Sequence, residues 1–190
     1  SKPSLREKAN RASVYRSRTL VCVVENPNLI NNLMGIIRTA EALGVGKIYV
    51  IDNGKLKLPN DRQKMRDDPQ FLNLSSSGIK WLYVKKFSST SECLQHLAKK
   101  KFTNVGTSSH QFGKNNVPLS KGKYTQHHLA MWFGNEARGL SQEALDTCDF
   151  CIQIPMYGII ESMNLSSSAS IVFKSIARLD HRSKIGGMFA

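Results

Sequence analysis

Three segments of this chain carry polar side chains where the apolar core of an α/β protein would not ask for them. The first is residues 28–44, NLINNLMGIIRTAEALG, in which Arg38 interrupts an apolar helical run. Asn31 lies one heptad earlier on the same face, and Asn32 sits near the start. The second is residues 132–141, WFGNEARGLS, where an apolar run stops at Gly134 and Glu136 follows two residues on. The third is residues 154–166, IPMYGIIESMNLS, which includes Ser162 and Asn164. A guanidinium is a fixed cation suited to a phosphate or a developing oxyanion, and well-placed polar groups can orient a reacting hydroxyl. Each segment also has a plainer account: Asn32 caps a helix, Arg38 snorkels to solvent, Glu136 decorates a tight turn, and Ser162 with Asn164 caps a following helix. Singly, the two accounts are equally good; the ordered set of three favours chemistry.

Other nucleotide-handling patterns fail on spacing. Gly44 and Gly46 lack the third glycine of a dinucleotide fingerprint and precede a strand instead of a helix. Gly134 to Gly139 is followed by Leu140 and Ser141, not by the Lys-Ser/Thr of a phosphate loop. NAD-dependent and P-loop chemistry are therefore disfavoured. Cys148 and Cys151 have metal-ligand spacing, but no second Cys pair or Cys/His pair completes a zinc site. With Cys22 and Cys93 they read as buried reduced thiols, and no metal is expected.

The elements that must position these segments alternate between strand and helix. Leu20–Val24 is a continuous apolar run of strand length, suited to burial on both faces. Residues 30–43 have a helical apolar period that stops at Gly44, and Ile48–Ile51 reads as the next strand. Trp81–Val84 is a third strand, followed by a helix over Ser91–Lys100. Asn104–Thr107 and Leu129–Phe133 are further strands, Ser141 caps a short helix through Thr147, and Cys151–Ile154 is the last strand. A final helix spans Leu165–Asp180. The expected fold class is α/β, a mostly parallel sheet flanked by helices. Residues 54–79 and 108–128 read as long loops of the kind that serve as lids or binding segments. Residues 1–18 form a basic N-terminal arm or helix, and 19–190 a single domain.

Charge narrows the partner. The net charge is +13 and the isoelectric point about 9.8. Residues 1–18 carry six basic side chains and one acidic, as do residues 80–101, and segments 114–123 and 174–184 are basic too. Such clustering is the electrostatic footprint of a phosphate-backbone binder, so nucleic acid is the favoured partner. No apolar run is long enough to span a bilayer and the start of the chain lacks a leader pattern, so the expectation is a cytoplasmic protein with no membrane partner.

The three segments, in this order, resemble the motifs of the SpoU family of RNA ribose 2′-O-methyltransferases, also called TrmH-like, within the knotted SPOUT superfamily. The first motif is similar to Asn32 through Arg38, Thr39 and Ala40 to Gly44. The second matches Phe133-Gly134-Asn135-Glu136 with Gly139-Leu140-Ser141. The third matches Ile154-Pro155-Met156 followed by Ser162-Met163-Asn164-Leu165-Ser166. The likeness covers residues 18–180 and is specific in these blocks; Met163 and Leu165 stand where Leu and Val are more usual, and neither change removes a functional group.

That resemblance implies a C-terminal trefoil knot, an exception to the rule that connections do not thread loops. It implies an S-adenosylmethionine pocket involving Thr107, Gly134, Ile154, Met156, Ser162, Met163 and Asn164, in which a ribose 2′-hydroxyl attacks the sulfonium methyl. Arg38 takes the catalytic role. Because a guanidinium is rarely neutral, a clamp on phosphate and developing alkoxide suits it better than a general base. Asn32, Glu136, Ser162 and Asn164 are implied to position Arg38, the ribose or the cofactor. The family also implies a homodimer in which Arg38 completes the neighbour's site, with basic segments 1–18, 80–101 and 174–184 on RNA phosphates. The short form and the IPMYG stretch are similar to the enzymes acting on tRNA, at the D-loop guanosine. Ribosomal RNA is the alternative substrate, and a non-catalytic RNA-binding protein of the same fold the alternative class.

Overall fold

The computed structural model describes residues 2–108 and 116–186, with side chains as far as residue 176. The elements run α1 (Leu5–Tyr15), β1 (Ser17–Glu25), α2 (Ile30–Ala42), β2 (Val45–Ile51), α3 (Arg62–Asp67), α4 (Pro69–Leu74), β3 (Tyr83–Phe87), α5 (Thr90–Lys99), β4 (Thr103–Thr107), β5 (Asn116–Pro118), β6 (Leu129–Phe133), α6 (Gln142–Thr147), β7 (Phe150–Gln153) and α7 (Leu165–Gly186). The strands form one sheet in the order β3-β2-β1-β6-β4-β7-β5, and every pairing is parallel. All strands therefore end on the same edge, where the two halves of the strand order meet at β1 and β6. Open α/β sheets place their sites at such a junction.

Both faces of the sheet are covered, which is why its central strands are uniformly apolar instead of alternating. Leu20, Cys22 and Val24 of β1, with Leu129, Met131 and Phe133 of β6, point into one core beneath α2, α4 and α7. Val21, Val23, Ala130 and Trp132 point the other way, into a second core beneath α5 and α6. From α2, Leu33, Met34, Ile36, Ile37 and Ala40 are buried, and each of the larger side chains contributes about 1.5–3 kcal/mol by leaving water. The indole N–H of Trp132 donates to the Asn104 side chain at 2.9 Å, so even the largest core side chain leaves no polar atom unpaired.

Several elements differ from the sequence expectation. Residues 54–79 are not one long loop: they hold α3, α4 and a 3-10 turn at Gly78–Lys80. Asp61 and Asp68 cap the two short helices through their carboxylates, and Pro69 opens the second. Each helix fully buries a single side chain, Met65 or Phe71, so no apolar period marked them. Residues 116–121 of the second expected loop form β5 and a 3-10 turn at Leu119–Lys121; Pro118 is tolerated because β5 is an edge strand. The third strand is shifted to Tyr83–Phe87, since Trp81 closes the preceding turn with its N–H on the Gly78 carbonyl. The last helix continues to Gly186. Helix α1 has no buried residue, and β1 begins at Ser17, two residues before the expected boundary at 19.

Gly106 shows how tightly the second core closes. A Cβ there would lie 2.9 Å from Cys151 Sγ, 3.1 Å from Cys148 Sγ and 3.2 Å from Leu140 Cδ1. Gly106→Ala is expected to cost about 1–3 kcal/mol in urea denaturation through overpacking, and adding Cys151→Ala should recover part of the loss. An unchanged midpoint in the single variant would contradict this packing.

Candidate functional site

The site grows from the loop after β1. Asn26, at φ 47°, turns the chain out of the strand, and α2 begins with Leu29 as its N-cap, a residue with no side-chain acceptor. The first turn of a helix leaves N–H groups without partners. At the entry to that turn the acceptor comes from 107 residues away: Glu136 takes the N–H of the N-cap Leu29 at 3.3 Å and that of Asn28 before it at 2.7 Å. Glu136 also accepts the Asn32 side-chain amide at 2.8 Å. A carboxylate at the amino end of α2 is further favoured by the helix dipole. The Asn32 carbonyl oxygen accepts from the Asn164 amide at 2.9 Å, and Asn164 in turn takes the N–H of Ser166 and of Ser167 and the Ser166 hydroxyl at the start of α7.

One chain of hydrogen bonds, Glu136–Asn32–Asn164, thus joins the three polar segments. Asn32 is buried and, contrary to its plain account, does not cap α2. Asn164 does cap α7. Burial alone would raise the Glu136 carboxyl, but hydrogen bonds from Asn32 and from backbone N–H groups outweigh it and hold the pKa below its ordinary 4.5. A carboxylate so engaged is a weak base and a strong anchor.

Glu136 is itself held by a closed turn. Asn135 and Gly139 exchange both backbone hydrogen bonds at 2.9 Å, and the Asn135 oxygen accepts the N–H of Ala137 and of Arg138. Gly134 is needed because a Cβ there would lie 2.1 Å from the Gly139 carbonyl carbon and 2.2 Å from the Leu140 nitrogen. The backbone that approaches Gly134 is this loop's own.

Arg38 lies apart from that chain. Six residues beyond Asn32 it is roughly 240° around the helix and about 9 Å along it. It is exposed, like Asn31 on the same face, and makes no hydrogen bond or ion pair with any described residue. Its cation is free for an outside partner. Of the expected cofactor residues, Thr107 ends β4, Gly134 follows β6 and Ile154 follows β7, three neighbouring strands. The Thr107 hydroxyl donates to the Trp132 carbonyl at 2.8 Å. Ile154, Met156 and Met163 are half-buried, while Ser162 is exposed and makes no hydrogen bond with any described residue.

Three groups that build this edge had no role assigned from the sequence, although Asn135 stood in the second motif. Glu25, buried at the end of β1, accepts from the Ser141 N–H and hydroxyl at 2.7 Å each and from the Thr90 hydroxyl, tying α5 and α6 to β1. Its signal was a lone acid closing an apolar strand. Asn28 and Asn135 link the first two segments, with Asn28 Nδ2 donating to Asn135 Oδ1 at 2.9 Å and Asn135 Nδ2 to the Asn26 carbonyl at 2.7 Å. Cys148 and Cys151, both buried, hydrogen-bond to each other, which raises the Cys148 thiol and lowers Cys151. Among the described residues, no group of three His, Cys, Asp or Glu side chains could hold a metal ion.

Glu136→Gln should test the anchor. Its folded pKa is depressed, so its contribution is complete above the unfolded pKa and lost as pH falls through the folded value. The variant is expected to be less stable by about 1–2 kcal/mol at pH 7 in urea denaturation, with the gap closing in acid below the ordinary carboxylate pKa. A gap that widens toward acid would refute the anchoring role.

The chain is similar to known proteins over most of its length. A model of the SpoU rRNA Methylase family matches residues 19–174. A tRNA (guanosine(18)-2'-O)-methyltransferase of Thermus thermophilus is 28% identical over 158 residues, covering 83% of this chain and 73% of its own length. The enzyme of the same description from Borreliella burgdorferi is 29% identical over 181 residues, covering 94% and 76%. Among solved structures, the A. aeolicus TrmH/SpoU tRNA modifying enzyme superposes with a TM-score of 0.77 at 23% identity, over 95% of this chain and 86% of that one, and so speaks to the fold. The SpoU methyltransferase AviRb from Streptomyces viridochromogenes, in complex with AdoMet, gives a TM-score of 0.69 at 25% identity, over 87% and 59%. With the family's span covering the whole Glu136–Asn32–Asn164 chain, this protein belongs to the SpoU rRNA methylase family.

Proposed function

We propose that the chain transfers a methyl group from S-adenosylmethionine to a ribose 2′-hydroxyl of tRNA. The observation that carries it is the unpaired cation of Arg38 on a helix whose start is locked to the second and third motifs. The donor set at the ends of β4, β6 and β7 suits the cofactor: Ile154, Met156 and Met163 are half-buried apolar walls, and the Ser162 hydroxyl is uncommitted. Thr107, Gly134 and Asn164 complete that edge. When bound, S-adenosylmethionine supplies an electrophilic sulfonium methyl.

The protein's part is positioning and charge. Arg38 clamps the phosphate beside the target ribose and stabilises the alkoxide that develops on its 2′-oxygen as the hydroxyl proton passes to solvent water. Glu136, Asn32 and Asn164 are positioning residues that act through the start of α2 and the start of α7. Two of the named relatives carry the guanosine(18) description, which supports tRNA over ribosomal RNA as the substrate. The basic segments 1–18 and 80–101 would contact RNA phosphates; the side chains of residues 177–184 lie outside the described residues. No helix among the described residues is long and apolar enough to cross a membrane, and a cytoplasmic location is part of the same reading.

The reading includes a homodimer and a knotted C-terminal segment. Leu29, Tyr157, Ile159, Ile160 and Ile171 are exposed, with Ile159 fully so, and all belong to the start of α2, to α7 or to the segment joining β7 to α7. That much exposed apolar surface beside the site favours burial against a second copy. For the knot, the support is that α7 packs against both α2 and the Leu119–Lys121 turn.

Arg38→Ala is expected to cut methyl transfer by about 10²–10³-fold, the loss typical of removing one oxyanion donor, while calorimetry shows the cofactor still bound. Near-normal turnover would refute the assignment. Tritiated methyl groups offered to tRNA and, separately, to ribosomal RNA should appear in tRNA, mapped to one ribose. In sedimentation at micromolar concentration the chain should be a dimer and Ile159→Asp with Ile160→Asp a monomer; a monomeric parent chain would count against the shared site.

A further inference from the structure

The opposite edge of the sheet, where the strands begin, carries a second feature that the methyl-transfer site does not use. A cleft of about 370 Å³ opens there, lined by Ser13, Arg16, Ser17, Arg18, Gly46, Lys47 and Tyr83. Its size lies within the roughly 300–1,000 Å³ of small-ligand sites. We propose that this cleft takes one unpaired nucleotide of the RNA, with the base on the Tyr83 ring and its phosphate on Arg18 and Lys47. The inference rests on RNA being the substrate, and it adds a contact roughly 26 Å from the strand ends where the methyl group is transferred, the length of the nine-residue β1.

Local structure makes the cleft. Between Ser17 and Val21 the register of β1 against β2 slips, four residues of β1 advancing against two of β2, from Val45 to Lys47. Such irregularities re-aim side chains, and this one falls at Arg18, which is exposed. Lys47 and Tyr83 are register partners on adjacent strands, so their side chains share one face. Gly46 leaves room for the Arg16 stem, since a Cβ there would lie 2.9 Å from Arg16 Cγ and Cδ.

The charges are distributed unequally. Arg16 is spent on Glu41, Nη2 to Oε1 at 3.7 Å. Arg18 and Lys47 make no hydrogen bond or ion pair with any described residue, and no acidic side chain lines the cleft. Tyr83 keeps 39% of its surface exposed on an edge strand, and the Arg62 guanidinium sits over one face of its ring, 4.4 Å from the centroid, so the base would take the other face with Arg62 as a third cation behind the ring. Unpaired cations around an exposed ring are the pattern by which proteins hold single-stranded nucleic acid: the ring stacks a base of any identity, and the cations track the backbone. An acidic protein partner would use the cations but has no need of the ring.

The test uses the full chain and a fluorescein-labelled decauridylate, read by anisotropy across a salt series. Tyr83→Leu is expected to weaken binding at least about fivefold, and Tyr83→Phe, which keeps a stacking surface, to restore it. Arg18→Ala with Lys47→Ala should flatten the slope of log affinity against log salt by roughly 0.7–1.4, one or two phosphates fewer. Calorimetry with S-adenosylmethionine serves as the control for the fold. Unchanged affinity and slope in all variants would overturn the proposal, as would uridine monophosphate displacing the label as well as unlabelled decauridylate does, which would make the cleft a mononucleotide site. Methyl transfer to tRNA by the parent chain is scored alongside. Transfer without any effect of Tyr83 refutes the cleft alone, whereas Tyr83-dependent binding without transfer supports the cleft and refutes the proposed reaction.

Discussion

The N-cap of α2, Leu29, has no side chain that can cap the helix, and the carboxylate of Glu136 instead holds the backbone N–H groups of Asn28 and Leu29 at its entry. That one interaction sets the position of most of what matters at this edge. It fixes where α2 starts, hence where Arg38 projects two turns later. It occupies the Asn32 amide, which leaves the Asn32 oxygen to receive Asn164 and so fixes where α7 starts. Three segments far apart in the chain become one rigid unit because each polar group in the series has its partner, and a partly satisfied series would be worth less than an apolar contact.

Carboxylates play the same part at other strand ends. Glu25 closes β1 and gathers Ser141 and Thr90; Asp52, just beyond β2, gathers the N–H groups of Gly54, Leu56 and Leu58. Asp149, just before β7, accepts the N–H of Asn104 at the opposite edge. These acids are neutralised chiefly by backbone N–H groups and hydroxyls, with Lys86 at 3.9 Å from Asp52 the exception. The loops draw on only a few of the many lysines and arginines, such as Lys55 on Asn28, Arg66 on the Lys80 carbonyl and Lys86 on the Leu58 carbonyl, which leaves most of that positive charge on the outer surface for a polyanion. A strongly basic protein can in this way keep acidic hinges inside and cationic surfaces outside.

Much of the architecture was legible from local pattern. Uniformly apolar runs such as Leu129–Phe133 declare strands buried on both faces, the helical period of residues 30–43 declares α2, and Ser141 declares the start of α6. Elements whose burial rests on one side chain escaped notice, as Met65 and Phe71 did in the polar stretch 54–79. Asn32 was legible as important but not in its role: near a helix start an asparagine reads as a cap, and only the arrival of Glu136 shows that the cap comes from elsewhere.

By itself the sequence determined the class of fold, the family and the identity of the polar groups, because strand burial, helical period and motif spacing are local properties written along the chain. Only the tertiary structure decided which groups meet. Glu136 is more than a hundred residues from Asn28 and Asn32, and Asn164 more than a hundred from Asn32, so no periodicity could announce their contact. The cleft beneath Tyr83 is of the same kind: its ring and its two free cations come from three strands, and they share a wall because parallel pairing sets Lys47 beside Tyr83 while a slipped register turns out Arg18.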